Sequence, residues 1–390
     1  MFVFANGIVR FMVVGFLILF FGSCRIAASS ELSQYPPEEP TKIWQLAYYE
    51  GGNHKNYRDY LIATVNGLIK LGWIEPMDIP DIEDTKKLWF WLASNTKSNY
   101  VKFIENSYFS AHWDQGHRER DKRAIIQLLN RSENIDLIFA MGTWAGEDLA
   151  NSEHNTPTFV ISASDPVKSG IIISVENSGY DHLFARVSPQ RYEKQIKLFH
   201  KLVKFKKLGV AYENTNNGRT YAAIESIEKV AKEKHFELVS CYTKSDISDQ
   251  ATANLTVISC IENLANKVDA LYITMQGGVN EQTISEIVDI ANKKQVATLS
   301  QLGVDEVKFG ILMGVSTPGF DSVGLFLAAS LGKVFNGANP GDLKQLFEEK
   351  NNISINLKTA DIIGTYVYAE WLAVADKIYN QISLPGRERP

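Results

Sequence analysis

Six short segments of this 390-residue chain place polar side chains directly after apolar runs. They are Tyr49-Glu50-Gly51-Gly52-Asn53, Gly142-Thr143-Trp144, Ser162-Ala163-Ser164-Asp165-Pro166, Glu213 through Arg219, Met275-Gln276-Gly277-Gly278 and Ser300-Gln301-Leu302-Gly303. Each offers a hydroxyl, an amide or a carboxylate, a set suited to hydrogen bonding and ion pairing with a small polar solute. Bond-breaking chemistry is less well provided for, because a nucleophile needs a base beside it. None of the seven histidines (His54, His112, His117, His154, His182, His200, His235) falls within the six segments, although His54 adjoins the first. GxGxxG, GxxxxGK[ST] and GxSxG are absent, and Gly142-Thr143-Trp144-Ala145-Gly146 lacks the spacing and the lysine of a nucleotide loop. The reading is of a protein that is not an enzyme and needs no cofactor. His112-Trp113-Asp114-Gln115-Gly116-His117 matches no standard metal spacing, and Asp114 reads as a helix cap, so no metal is expected.

Composition agrees. The chain is 45% hydrophobic and 22% charged, with 40 Lys+Arg against 45 Asp+Glu and a net charge of -5. That leaves no general basic surface for nucleic acid. Three cysteines without a CxxC exclude a disulfide framework and a zinc ribbon. Cys241, ending a strand, and Cys260, on a helix, read as two buried thiols, with a disulfide formed after export as the alternative.

The front of the chain reads as a targeting segment. Arg10 is followed by the apolar run from Phe11 to Phe21, the length of a signal-peptide core and shorter than the roughly 20 residues of a membrane span. Phe21-Gly22-Ser23-Cys24 resembles a bacterial lipobox in which Cys24 would be lipidated; Phe21 stands where leucine is usual. Cleavage near Ile26-Ala27-Ala28 and an uncleaved helix are the competitors. Either cleavage exports the protein to a periplasmic or extracytoplasmic compartment, and residues 29–41, with Pro36, Pro37 and Pro40, read as an extended tether.

The elements that position the six segments alternate. Strand-like runs at 42–49, 99–111, 135–141 and 158–162 are interleaved with helical patterns, and after Pro189 the cycle restarts with helices at 189–203, 219–234, 251–266 and 280–293 and strands at 207–212, 236–242, 270–274 and 295–299. Alternation implies parallel sheets covered by helices, and the restart implies two of them: α/β twice over. Residues 82–98, with Trp89-Phe90-Trp91, are too long for a loop and read as an inserted helix whose aromatics pack. In such sheets ligands sit beyond the strand carboxyl ends, where the six segments fall.

On these residues the chain resembles a family. Ile135–Val167, Lys207–Asn216 ("KLGVAYENTN"), Val268–Thr274 ("VDALYIT"), "FGILMGVSTPGFDSVGLFLAASLGKVFNGANPGDL" and "SINLKTADIIG" are similar to the exported substrate-binding proteins of one ABC transporter family, whose characterised members take up aromatic amino acids such as tryptophan. The resemblance runs over 42–378 apart from the 82–98 insertion. It implies the type I periplasmic-binding-protein fold, with two Rossmann-like, parallel-sheet lobes joined by crossing hinge strands. Its divisions would be residues 1–28 as signal peptide or lipoprotein signal, 29–41 as tether, 42–186 plus 315–345 as N-terminal lobe and 187–314 plus 346–384 as C-terminal lobe. Carried over by position, its ligand turns fall on Tyr49, Glu50, Thr143, Ser164, Asp165, Asn214, Asn216 and Gln276.

The chain departs from the family at Thr274-Met275-Gln276 and Gln301-Leu302-Gly303, where members often carry acids, so acidic groups for an ammonium are expected only in the first lobe. The resemblance implies the solute-binding component of an importer. Thr143 and the helix start near Trp144 would hold a carboxylate, Asp165 or Glu50 an ammonium, and Trp144 or Tyr49 would stack on the solute. Asn214 and Asn216 would engage on closure. The implied partners are a small-molecule solute such as an amino acid or derivative and a membrane permease. The alternative is an exported sensor subunit signalling to a membrane kinase or chemoreceptor. A monomer is expected, touching the membrane only through a lipid on Cys24.

Overall fold

The computed structural model describes residues 32–131, 134–316, 319–348 and 352–385; the signal segment and Cys24 lie outside the described residues. Among those residues no helix is long and apolar enough to cross a membrane.

The first lobe is built from β1 (Trp44–Glu50), α1 (Lys55–Lys70), α2 (Thr85–Asn95), β2 (Val101–Ser110), α3 (Gln115–Arg131), β3 (Leu137–Met141), α4 (Gly142–Leu149), β4 (Thr158–Ile161) and β5 (Leu183–Ala185). Its five strands lie in the order β2-β1-β3-β4-β5, all parallel. Every residue of β3 and β4 is buried, because helices cover both faces of a parallel sheet. The 82–98 segment forms α2, with Trp89 wholly buried and its indole N–H given to the carbonyl of Ile104 at 2.9 Å.

The second lobe holds α5 (Arg191–Val203), β6 (Lys207–Tyr212), α6 (Asn216–Tyr221), α7 (Ile224–Lys234), β7 (Glu237–Tyr242), α8 (Gln250–Ala265), β8 (Ala270–Ile273), α9 (Ile284–Lys293), β9 (Ala297–Ser300), α10 (Val304–Lys308) and β10 (Met313–Ser316). The chain then returns to the first lobe with α11 (Asp321–Phe335) and ends in the second with β11 (Asn352–Asn356), α12 (Leu357–Ile363), α13 (Ala369–Val374) and β12 (Lys377–Tyr379). The seven strands run β12-β11-β10-β9-β8-β6-β7, parallel except for the β10–β11 pair. Helix α11 crosses α1 at two glycines: a Cβ on Gly67 would stand 2.5 Å from the Gly324 carbonyl oxygen. That contact fastens a returning segment to the first-lobe core, where Val323, Leu327 and Leu331 join Leu61, Val65 and Leu68.

Three local features differ from the sequence reading. The expected helix over 219–234 is two helices, broken at Ala222-Ala223 with Ala223 in the left-handed region at φ 54. The break leaves Tyr221 free to accept the Glu213 N–H on its hydroxyl (2.9 Å) and the Gln301 side-chain N–H on its carbonyl (2.6 Å). Cys241 on β7 and Cys260 on α8 are joined as a disulfide, Cα to Cα 5.6 Å, so the reading as two buried thiols is corrected. Residues 33–37, within the segment read as a tether, take no regular structure yet are held on the first lobe. Trp73 and Tyr100 donate to the carbonyls of Gln34 and Pro37, and Asn336 donates to those of Ser33 and Tyr35.

Candidate functional site

The carboxyl ends of the two sheets face each other. Cross-lobe contacts mark the meeting: the Asn56 amide reaches Met275 Sδ at 3.0 Å, Lys55 pairs with Glu281 at 3.6 Å, and Lys168 pairs with Glu225 at 3.1 Å.

The centre of the first-lobe side is the junction of β3 and α4. Helix α4 begins at once after the strand, on Gly142, which sits at φ +83. A Cβ there would lie within bonding distance of the Tyr57 hydroxyl, so the position admits only glycine. The Ncap residue is Met141 and no side chain caps the helix, leaving the first N–H groups of α4, around Thr143, without the usual partner and facing the cleft. That is a ready acceptor for an anionic group.

Two indoles flank this helix start. Trp113 meets Trp144 edge to face with ring centres 5.4 Å apart, and Tyr57 lies 6.5 Å from Trp113. The floor beneath them is Gly51-Gly52: a Cβ on Gly51 would stand 2.9 Å from Trp144 Cβ, and one on Gly52 2.5 Å from the Trp113 ring. Trp144 is clamped from behind by Arg118, whose guanidinium lies over its ring and hydrogen-bonds Asp148 at 3.0 Å and Glu147 at 2.8 Å. His112 and Trp113 hold left-handed backbone angles (φ 53 and 55), as does Ser162 (φ 64); such costly conformations concentrate at functional turns.

The candidate residues separate by environment. Thr143 and Trp144 are at the helix start and Ser164 is in the turn after β4. Asp165 lies in the same turn but accepts the Lys168 N–H at 3.1 Å and faces the Lys168 ammonium at 3.8 Å, so it braces its own turn. Glu50 is buried in a cage of hydroxyls, from Tyr48 at 2.9 Å, Ser110 at 3.0 Å and Tyr108. Burial pushes its carboxyl up, and the three donors only partly offset that. Tyr49 lies one layer below the surface, donating to Asp148 at 2.7 Å and so steadying the clamp on Trp144. In the second lobe, Asn214 is exposed in the turn after β6 and Asn216 is exposed at the first position of α6. The Gln276 amide is already engaged, accepting from Thr243 (2.7 Å) and donating to the Ala211 carbonyl and Thr274 (2.8 Å each). Asp114 caps α3 by accepting the His117 N–H at 2.8 Å.

Sequence reasoning missed four groups at this junction: Tyr57, Trp113, Asn217 and Asp246. With its amide nitrogen turned toward the carboxylate, Asn217 donates to Glu147 Oε1 at 2.9 Å and accepts from the Trp144 indole at 3.1 Å, bridging the lobes. Asp246, in the turn after β7, has its N–H bound to Glu213 Oε2 at 3.3 Å. Burial first, and then the neighbouring Glu213 and Glu147, push its carboxyl up to about 7 against the Ser245 hydroxyl bond. Contrary to the expectation that acidic groups fall only in the first lobe, Glu213 stands after β6 and Asp246 after β7 in the second.

Comparisons with known proteins bear on this arrangement. The family described as ABC transporter substrate binding protein matches residues 104–379. A curated relative, the tyrosine-binding protein of Clostridioides difficile strain R20291, is 26% identical over 195 residues, 47% of this chain and 54% of that one. The match thus spans about half of that relative's length. Among solved structures, an ABC domain from Streptococcus pneumoniae in complex with L-Trp aligns with TM-score 0.65 at 16% identity, over 86% of this chain and 99% of that one. A conserved domain protein from Vibrio cholerae aligns with TM-score 0.62 at 19% identity, over 86% and 100%. The ligand-free, open structure of a substrate binding protein with adhesive properties from Clostridium difficile aligns with TM-score 0.56 at 17% identity, over 87% and 100%. At these identities the structural matches establish the fold.

Proposed function

The chain belongs to the ABC transporter substrate-binding protein family, and we propose that it is the extracytoplasmic solute-binding component of an importer. It captures a small polar solute, an amino acid or a derivative of one, between its lobes and delivers it to a membrane permease. The observation that carries this reading is the uncapped start of α4 at Thr143, walled by Trp113, Trp144 and Tyr57 and facing the second lobe.

The steps follow from the geometry. A carboxylate docks on the first N–H groups of α4 with the Thr143 hydroxyl beside it, favoured by the helix dipole. A flat side chain lies against the indoles, at about 0.5–1.5 kcal/mol beyond its area burial. The second lobe then rotates over the solute, bringing Asn214, Asn216 and Asn217 toward the first lobe; Ser164 lines the far side. Because these second-lobe contacts form only on closure, the closed form is populated with solute and is what a permease reads. No bond is made or broken. We further propose export through residues 1–28, with lipid on Cys24 as the tie to the membrane, and action as a monomer.

Thermal unfolding against a panel of amino acids, purines, sugars and short peptides tests the reading. A solute binding only the folded state raises stability by about 2.7 kcal/mol at a hundredfold over its dissociation constant. Tyrosine or tryptophan should raise the midpoint, and Thr143→Ala should reduce the shift. A rise with sugars or purines alone would remove the amino-acid assignment, and silence across the panel would remove the capture reading.

A further inference from the structure

The end of the second-lobe sheet that faces away from the cleft is basic. Strands β9, β8, β6 and β7 are neighbours and run parallel, so the four turns that lead into them lie side by side. Residues 204–207, 232–237, 266–269 and 293–295 of those turns carry eight exposed lysines against three carboxylates, Glu233, Glu237 and Asp269. Glu233 pairs with Lys234 at 3.0 Å and Glu237 with Lys207 at 3.4 Å, while Asp269 accepts the backbone N–H groups of Lys206 and Lys207 at 2.9 Å each. Lys204, Lys267, Lys293 and Lys294 form no ion pair among the described residues. Helix carboxyl ends favour a nearby cation, which accounts for some of these lysines. It does not account for the contrast with the first lobe. The same end there carries Lys42, Lys97 and Arg131 against Asp136 and Glu153, with Lys42 and Asp136 paired at 3.0 Å. On a chain of net charge -5, positive charge is thus gathered at one pole.

A second, independent feature adjoins the basic turns. Tyr366 and Tyr368 are 70% and 59% exposed and pack edge to face on each other, with ring centres 4.8 Å apart. Val367 between them packs on the second-lobe core, so its two neighbours point outward. Leu372 and Val374 of α13 are exposed as well, and Trp371 fastens that helix into the core. The Lys201 ammonium, in the last turn of α5, lies 5.6 Å over the Trp371 ring, which places the apolar group next to the turn of Lys204 and Lys206. An exposed apolar group bordered by charge marks an interaction surface.

We propose that this pole of the second lobe docks on a bilayer rich in anionic phospholipid, a contact additional to the lipid proposed at Cys24. Charge complementarity and the apolar group together select that surface. The lysines meet the phosphate headgroups, while the two tyrosines, Leu372 and Val374 enter the boundary between headgroups and acyl chains, where tyrosine is favoured. Lysine stems lie along the same boundary with their ammonium groups in water. An acidic polymer would engage the lysines and leave the apolar group uncovered. The rest of the chain carries the excess of negative charge and is repelled by the same bilayer, so the molecule is oriented with this pole toward it. The candidate cleft turns lie at the opposite, carboxyl ends of the strands, so docking leaves them open.

Vesicle co-sedimentation tests the assignment on residues 29–390, the form left by the cleavage proposed above, which holds every element of both lobes. Leaving out the apolar leader and Cys24 removes the other routes to the membrane. Vesicles of phosphatidylcholine with about one-third phosphatidylglycerol should bind the chain at least about 20-fold more strongly than phosphatidylcholine alone. Raising the salt from about 0.05 M to about 0.5 M should remove most of that preference. Lys204→Glu combined with Lys206→Glu should lower binding to the anionic vesicles about tenfold. Tyr366→Ser combined with Tyr368→Ser should lower it about fivefold, and that loss should persist at high salt. All four side chains are exposed, so both variants should keep the wild-type unfolding midpoint. Equal binding to neutral and anionic vesicles, or binding to neither, would overturn the inference. Full binding by the tyrosine variant, with soluble polyphosphate competing as well as anionic vesicles do, would mark a general polyanion site and overturn the bilayer assignment. A dimer in light scattering that the tyrosine variant splits would give the apolar group to a second copy and overturn it too.

Discussion

The guanidinium of Arg118 lies 4.7 Å from the centre of the Trp144 ring while hydrogen-bonding the buried Asp148 carboxylate at 3.0 Å. One cation thus fixes a cleft aromatic and balances a charge beneath it, and Tyr49 completes the stack by donating to Asp148. Removing one partner of a buried pair costs roughly 3–5 kcal/mol, and here Lys122, 4.0 Å from Asp148, would remain to offset part of the loss. Arg118→Ala should therefore lower unfolding stability by about 3 kcal/mol and loosen Trp144. Urea unfolding measures the first effect and near-ultraviolet circular dichroism the second. A variant within 0.5 kcal/mol of wild type, by the ordinary range of surface changes, would show that the pair is not buried in solution.

The Gly51-Gly52 floor gives a second prediction. A methyl at position 52 would press on the Trp113 ring from 2.5 Å, and only movement of the indole could relieve it. Gly52→Ala should destabilise by about 1–3 kcal/mol, the usual cost of overpacking, and weaken solute binding more than it weakens the fold. Parallel thermal unfolding with and without tyrosine separates the two effects. A binding loss no larger than the stability loss would argue against Trp113 as a cleft wall.

The Cys241–Cys260 disulfide ties edge strand β7 to α8 across a separation of 19 residues. A loop of that size constrains the unfolded chain by about 3 kcal/mol in the chain-entropy account. Reduction, or the paired Cys241→Ser and Cys260→Ser change, should lower stability by that order. It should also loosen the β7 edge next to Asp246. Hydrogen exchange over 237–249 with and without reductant checks this; equal protection in both would place the bond's effect elsewhere.

Much of the architecture was legible because buried parallel strands read as unbroken apolar runs, such as Leu137–Met141 and Ala270–Ile273. The strand-end rule then pointed to the six turns that include Thr143, Trp144 and Ser164, and the family resemblance chose positions within them. Asp246 escaped it because β7 is an edge strand with exposed positions, followed by a polar run that no glycine punctuates. Trp113 was hidden inside a segment judged for metal binding. Asn217 was passed over for its neighbour Asn216, since which asparagine faces the first lobe depends on the phase of α6, set by Thr215 capping at Gly218. Gln276 illustrates the converse: a polar residue in the right turn whose amide is consumed by Ala211, Thr243 and Thr274. The disulfide pairing needed the fold, because two cysteines on different elements carry no sequence signal of a 5.6 Å approach.

Buried titrating groups give a pH prediction with opposing limbs. Burial holds both His54 and His154 down to about 4, below the ordinary histidine value near 6.5. The unfolded chain therefore binds more protons than the folded one between about pH 6.5 and 4, and stability falls as pH drops through that window. Asp246 acts in the other direction: raised to about 7, it makes the folded state the better proton binder between about pH 4 and 7, so stability falls as pH rises there. Asp246→Asn removes the second limb, so its stability relative to wild type should grow from pH 4 to 7 by an amount on the order of a few kcal/mol and then level off. In that background the acid loss from the histidines should appear without the Asp246 limb. Guanidinium unfolding at half-unit pH intervals gives both curves; a constant difference between variant and wild type would mean that Asp246 ionises normally in the fold.

Two contacts across the cleft differ in what their loss should do. Lys168 reaches Glu225 at 3.1 Å from the surface, where an ion pair contributes about 0–1 kcal/mol and is screened by salt. Asn217 reaches under the lobes to the Trp144 indole and to Glu147, where its hydrogen bonds are sheltered and form only when the lobes meet. Lys168→Ala should thus leave solute affinity within about twofold at physiological salt. Asn217→Ala should weaken it about tenfold, the equivalent of 1.4 kcal/mol, and shift the lobes toward the open state. Small-angle scattering with saturating solute reads that shift as a larger radius of gyration than wild type, while Lys168→Ala should superimpose on wild type. The reverse ranking would place the closing contact at the rim of the cleft, and a wild-type affinity for Asn217→Ala would remove α6 from the solute-binding wall.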